Sequence, residues 1–129
     1  MFSFLKSRVL SFRNAFAGWG YVIRTQRNAW IHAVVSVVVI IVGFWLGINA
    51  LNWVMIIFAI ALVWTAEFIN TALEAVVDLA SHHEYHHLAK VGKDVGAAAV
   101  LIAAFSAASI GLLILGPPLW QRLQAIFFK

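Results

Sequence analysis

The sequence predicts an all-α membrane protein with an amino-terminal amphipathic surface helix and three transmembrane helices, and three observations carry that reading. Its 129 residues are 64% hydrophobic and 11% charged, against the roughly 45–50% apolar usage of soluble domains. Three apolar runs approach or exceed the roughly 20 helical residues that cross a hydrocarbon core. Inside the second of them, the polar residues Glu67, Asn70, Thr71, Glu74 and Asp78 recur at offsets of three, four, seven and eleven from the first. At about 100° per residue these share one helix face.

The surface helix is expected over about 2–20. Phe2, Leu5, Val9, Phe12, Phe16 and Trp19 alternate at spacings of three and four, while Lys6, Arg8 and Arg13 lie off that stripe. Such a pattern suits a helix lying in the membrane interface. The apolar residues form no continuous run and no small-residue cleavage site follows, so this segment does not read as a signal peptide. Gly18 and Gly20 are expected to loosen its end before Arg24.

The first span is expected over about 30–47. Gly47-Ile48-Asn49-Ala50 leaves room only for a tight turn, so the second span, about 51–80, returns antiparallel to the first. That second helix is longer than a bilayer requires, which puts its end from about Glu74 at the interface, where acidic groups are cheaper to hold. A polar loop over 81–94 leads to the third span, about 95–115. No domain boundary, repeat or low-complexity segment divides the chain, which reads as one domain over 1–129.

Charge orients these elements. Lys6, Arg8, Arg13, Arg24 and Arg27 precede the first span, Lys90 and Lys93 follow the second, and the 47–52 turn carries none. The positive-inside rule then places the amino terminus and the 81–94 loop in the cytoplasm, although Arg122 and Lys129 oppose this weakly, and the family resemblance given below implies a multi-pass protein of a bacterial inner membrane. Gly96, Ala97, Ala98, Ala99, Ala103, Ala104, Ala107, Ala108 and Gly111 crowd the third span. Small residues let helices approach closely in lipid, so a homo-oligomer is expected.

A carboxylate at membrane depth costs at least about 2.5–3.5 kcal/mol, so three on one stripe need partners, a cation or a wet cleft. Glu67, Asn70 and Glu74 suit a hard cation, since oxygen ligands favour Mg²⁺, which commonly binds one or two carboxylates together with substrate phosphates. Glu67, a turn or two deeper, is placed to act as general base on a hydroxyl. For Asn70 and Thr71, an interhelical hydrogen-bond cluster is an equally good reading. In the loop, Lys90 and Lys93, with the amino-terminal arginines, are suited to neutralise a polyphosphate. Asp94 is expected either to orient Lys93 or to cap the third helix. His82, His83, His86 and His87 have an i, i+4 spacing, but no further ligand with zinc spacing is near, so solvation explains them better than a metal site. His32 reads as a packing or interfacial residue. With no GxxxxGK[ST] and no GxGxxG, any nucleotide site must be built from side chains. With no cysteine, thiolate chemistry is excluded.

The series E-x-x-N-T-A-x-E-x-x-V-D at 67–78, E-Y-H at 84–86, L-A-K at 88–90 and K-D at 93–94, followed by a small-residue helix, resembles the prokaryotic diacylglycerol kinase family, which includes undecaprenol kinases. The resemblance covers most of the chain. It implies a small homotrimeric membrane kinase that moves the γ-phosphate of ATP to a lipid hydroxyl with Mg²⁺. It further implies Glu67 as general base with Asn70 beside it, Glu74 and Asp78 near the metal, and Glu84, Tyr85 and His86 on the adenosine side. Lys93 and Asp94 would contact phosphate, with Arg8 or Arg13. Gln26 stands where the family carries a second metal-binding glutamate, so one ligand charge is missing there. The RN-x-x-x-H pattern at 27–32 and the NTALEAVVDLA form of the motif look closer to the undecaprenol kinases than to the enterobacterial branch. Two other functions compete: an ion or proton carrier lined by the acidic stripe, and a catalytically weakened assembly module suggested by Gln26. A carrier needs polar groups through the full membrane depth, and here they cluster toward one side, which favours the kinase.

Overall fold

The computed structural model describes residues 2–127 as four helices: α1 (Phe2–Thr25), α2 (Arg27–Leu46), α3 (Ala50–Ala80) and α4 (His87–Phe127). Among the described residues there is no strand. The helices α2, α3 and α4 are each long and apolar enough to cross a membrane. At a rise of about 1.5 Å per residue α2 is about 30 Å long and α3 about 46 Å, so α3 outreaches a hydrocarbon core of about 30 Å.

Each junction has a local cause. α1 and α2 are separated by Gln26 alone, whose extended backbone (φ −102°, ψ 115°) ends one helix and begins the next. Gly18 and Gly20 do not end α1, which runs five residues beyond the expected limit. Gly47, at φ 64°, closes α2 in the left-handed conformation that glycine adopts without a Cβ penalty. Asn49 then caps α3, its side-chain oxygen accepting from the Asn52 N–H at 2.9 Å. The resulting hairpin is symmetric about its turn: Phe44 meets Trp53 (ring centroids 4.6 Å), Ser36 meets Trp64 (3.4 Å) and Gln26 meets Glu74 (3.0 Å).

Two expectations about α4 need correction. It begins at His87, not near 95, because His86 acts as its cap: Nδ1 accepts from the Leu88 N–H at 3.2 Å and the carbonyl from the Lys90 N–H at 3.0 Å. Lys90, Lys93 and Asp94 are therefore helical, and Asp94, two turns inside, caps nothing. The polar connection shrinks to 81–86, where His82 and His83 take the left-handed conformation (φ 52° and 60°). At its other end α4 runs through Pro117 and Pro118 to Phe127, leaving the carbonyls of Leu113 and Ile114 without helical donors.

The buried core is small. Val22, Ala29, Ile56, Ala59, Val63, Val100, Ala103 and Leu115 are its apolar members, joined by Glu67, Asn70 and Thr71. Large side chains such as Phe105 and Leu113 point outward, as lipid-facing residues do. α3 and α4 touch most closely at Gly96, where a Cβ would collide with Asn70 Oδ1 and stand 3.0 Å from Leu73 Cδ2. α1 docks through Trp19, tilted against Trp64 (ring centroids 4.8 Å, 41° between planes) and edge-on to Phe68 (4.7 Å). Val9, Phe12 and Phe16 stay exposed on it, as an interfacial helix requires. The side chains of Phe2 and Leu5 lie outside those described.

Candidate active site

The helical repeat of α3 sets the site's vertical order. Glu67 is deepest and fully buried (1% exposed), Asn70 and Thr71 are buried one turn on, Glu74 is half-buried, and Asp78 lies near the helix end. The Thr71 hydroxyl donates to the Glu67 carbonyl at 2.8 Å, which ties that hydroxyl to its own helix.

Glu74 is the centre of the upper cluster. Its Oε2 accepts from Gln26 Nε2 and its Oε1 from Asn70 Nδ2, each at 3.0 Å. The break between α1 and α2 thus delivers Gln26 directly to Glu74, across 48 residues of chain. Asn70 Oδ1 is buried without a hydrogen-bond partner. Glu74 thus meets two amide N–H₂ groups, whose own carbonyl oxygens, on Gln26 and Asn70, are of a kind that hard cations accept.

Beyond it, at the end of α3, Asp78, Ser81, His83, Glu84, Tyr85, His86, Ala89, Lys90, Lys93 and Asp94 line an open depression of about 650 Å³. Lys93 Nζ and Asp78 Oδ1 form an ion pair at 2.6 Å, and Lys90 Nζ pairs with Asp94 Oδ2, also at 2.6 Å. These pairings depart from the sequence reading: Lys93 is oriented by Asp78 and not by Asp94, and Asp78 faces an ammonium. Glu84, Tyr85 and His86 border the same hollow. Arg8 and Arg13 are exposed on α1, outside the lining. Among the described residues no three His, Asp or Glu side chains form a metal-binding group, the histidines at 82–87 included.

His32, read from the sequence as a packing or interfacial residue, packs beside Glu67. His32 Nε2 lies 3.8 Å from Glu67 Oε2, and both atoms are buried without a hydrogen-bond partner. The signal for this was the hairpin's symmetry: folded about its turn, α2 carries residue 32 to the level of 67.

The family model described as prokaryotic diacylglycerol kinase matches residues 13–115. The chain belongs to this family. It is 44% identical to a diacylglycerol kinase of Synechocystis over 111 residues, 86% of this chain and 63% of that relative's length. With the undecaprenol kinase of Bacillus subtilis it shares 38% identity over 84% of the chain and 88% of the relative. With the diacylglycerol kinase of Escherichia coli K12 it shares 38% over 65% and 74%. The match thus spans less than two thirds of the Synechocystis protein but most of the other two. These identities give the undecaprenol kinase no advantage over the diacylglycerol kinases. Gln26, Glu67, Asn70, Glu74, Asp78 and the whole lining of the depression fall within the stretch matched to the prokaryotic diacylglycerol kinase model.

Proposed function

We propose that this chain, by family a membrane lipid kinase with ATP as co-substrate, carries its reaction at the α3 face with Glu67 as general base. The observation that carries the reading is the order of groups on that face. A buried carboxylate with an unpartnered oxygen lies deepest, a cluster of Glu74 with two amides follows, and a lysine-bearing hollow opens beyond it at the helix end. A lipid hydroxyl arriving from the bilayer and a nucleotide arriving from water would meet between them.

Phosphoryl transfer needs mainly positioning and charge stabilisation. In this reading Lys93, steadied by Asp78, meets the polyphosphate, with Lys90 and either Arg8 or Arg13 adding positive charge. Glu84, Tyr85 and His86 border the adenosine, and Asp94 acts through Lys90. Residue types suited to Mg²⁺ are present: Glu74 would hold it, the amide oxygens of Gln26 and Asn70 would join by turning from Glu74, and Asp78 would join only by releasing Lys93. When bound, the cation neutralises charge on the phosphates. Glu67 takes the proton of the lipid hydroxyl as that oxygen attacks the γ-phosphorus.

The carrier alternative lacks a path. Among the described residues no Asp, Glu, Lys or Arg occurs in α2 after Arg27, in α3 before Glu67, or in α4 between Asp94 and Arg122, so half the membrane depth has no charged group. The same asymmetry, with the positive-inside rule, supports a cytoplasmic active-site end in a bacterial inner membrane. A homotrimer is the proposed assembly.

The test is the purified full chain in lipid, given radiolabelled ATP and magnesium with undecaprenol and diacylglycerol in parallel. Label passing into the lipid phase with one or both is expected, and the better acceptor identifies the branch. No transfer to either alcohol would overturn the assignment.

A further inference from the structure

The acidic residues of the sequence all lie toward one end of the bundle: Glu67, Glu74 and Asp78 on α3, Glu84 in the connection and Asp94 in the second turn of α4. At the other end, near the Gly47 turn, stands the cation that opposes the orientation rule, Arg122. Asp94, the nearest carboxylate along α4, is about 42 Å away from it. A second copy of the chain in the same orientation has its carboxylates at the same far end. Only solvent and lipid are left to answer the charge of Arg122. Its guanidinium sits over the ring of Trp45, 5.8 Å from the centroid. That contact uses none of the five N–H donors. Trp45 is one residue from the end of α2, a helix about 30 Å long that matches the hydrocarbon core, so the pair stands at headgroup level, where tryptophan concentrates.

The helix around Arg122 is amphipathic. Leu119, Trp120, Leu123, Ile126 and Phe127 fall within an arc of about 120° at about 100° per residue, with Gln121, Arg122 and Gln124 outside it. Trp120, Ile126 and Phe127 are 63%, 57% and 74% exposed. Held upright, Ile126 and Phe127 would stand about 6–8 Å beyond Arg122, outside the hydrocarbon. Pro117 and Pro118 give no N–H to the carbonyls of Leu113 and Ile114, which weakens the helix there and leaves the segment free to tilt its stripe into the acyl chains. The family match ends at residue 115, so this segment lies beyond it.

We propose that residues 119–127, with Trp45, form a phospholipid-headgroup site at the end of the bundle opposite the carboxylates. The apolar stripe enters the acyl chains, and Arg122, braced on Trp45, donates its N–H groups to a lipid phosphate, which a guanidinium can meet bidentately. In a zwitterionic lipid the headgroup's own ammonium offsets the phosphate, whereas in an anionic one nothing does. Anionic phospholipid is therefore favoured. The site is independent of the kinase reading.

The experiment uses the full chain in phosphatidylcholine vesicles holding trace phosphatidylglycerol or phosphatidylcholine with the same photoreactive group beside the glycerol. After illumination, digestion and mass spectrometry locate the label. Within 119–127, phosphatidylglycerol should label about fivefold more than phosphatidylcholine, the scale for one cation at an anionic surface, and the preference should shrink in about 1 M salt. Arg122→Gln should abolish the preference with helical circular dichroism unchanged, Arg122→Lys should recover part of it, and Trp45→Leu should reduce it. The lipid and salt comparisons use wild-type protein and stand even if a variant fails to fold. Equal labelling by the two lipids, or an undiminished preference in Arg122→Gln, would overturn the role of Arg122. A segment that takes no lipid label at all is covered by protein or water, and that result would overturn the site.

Discussion

Burial separates the three carboxylates of α3 by task. Glu67 is sealed from water and unpartnered at one oxygen, Glu74 is bridged by two amides, and Asp78, with a side chain 34% exposed, holds Lys93. Glu67→Gln keeps the shape and removes the proposed base, so turnover should fall about 10²–10⁴-fold with the ATP KM nearly unchanged. Steady-state kinetics checks this, and full activity would remove Glu67 from the mechanism. Gln26 tests the upper cluster. Gln26→Glu places a second carboxylate against Glu74, which repels without a cation and binds one more strongly with it. The magnesium concentration for half-maximal transfer should fall, while Glu74→Gln should raise it or abolish activity. A magnesium titration at fixed ATP and lipid decides, and unchanged curves for both would put the metal elsewhere. The α3 face was legible because five polar residues in an apolar run obey the helical period. The ion pairs were not, because Lys90–Asp94 needs α4 to begin before residue 90 and Lys93–Asp78 depends on which turns of α3 and α4 face each other.

At the level of elements, α3 and α4 are held in register by Gly96 against Asn70 and Leu73. Gly96→Ala forces the two helices apart or displaces Asn70, the residue that donates to Glu74. Overpacking of this kind costs about 1–3 kcal/mol, so thermal unfolding should come earlier and turnover should drop with it. Gly111→Ala is the control: nothing lies within 4 Å of a Cβ there, and its effect should stay within about 0.5 kcal/mol. If both variants behave alike, the close approach at Gly96 has no part in shaping the site. The hairpin and the long α3 followed from the turn residues at 47–50 and from the length of the apolar run. The start of α4 did not, since hydropathy reports where a helix enters lipid and not where it begins. Its first two turns are polar and are set off by the His86 cap, which resembles nothing in the usual list of capping residues.

For the whole molecule, the question is what holds three spans and a surface helix together in lipid. Among the described residues only eight apolar side chains are buried, and lipid tails are as apolar as leucine, so there is no hydrophobic drive between helices. The small residues of α4 divide accordingly. Gly96 and Ala103 are buried against the chain's own helices, while Ala97 and Ala98 remain exposed beside the outward Leu101 and Phe105. A second chain can approach that face closely, which is the physical ground for the proposed trimer. Ala98→Phe puts a large ring where backbones would meet while leaving Gly96, Asn70 and Glu74 in place. Wild-type protein in vesicles should cross-link to a discrete trimer whose yield falls as the protein-to-lipid ratio falls, by mass action. Ala98→Phe should shift that dissociation to higher protein-to-lipid ratios, and activity should track the assembled fraction if neighbouring chains support the site. A wild-type chain that remains monomeric and active at every dilution would show that α3, α4 and the Gln26 junction suffice without a partner.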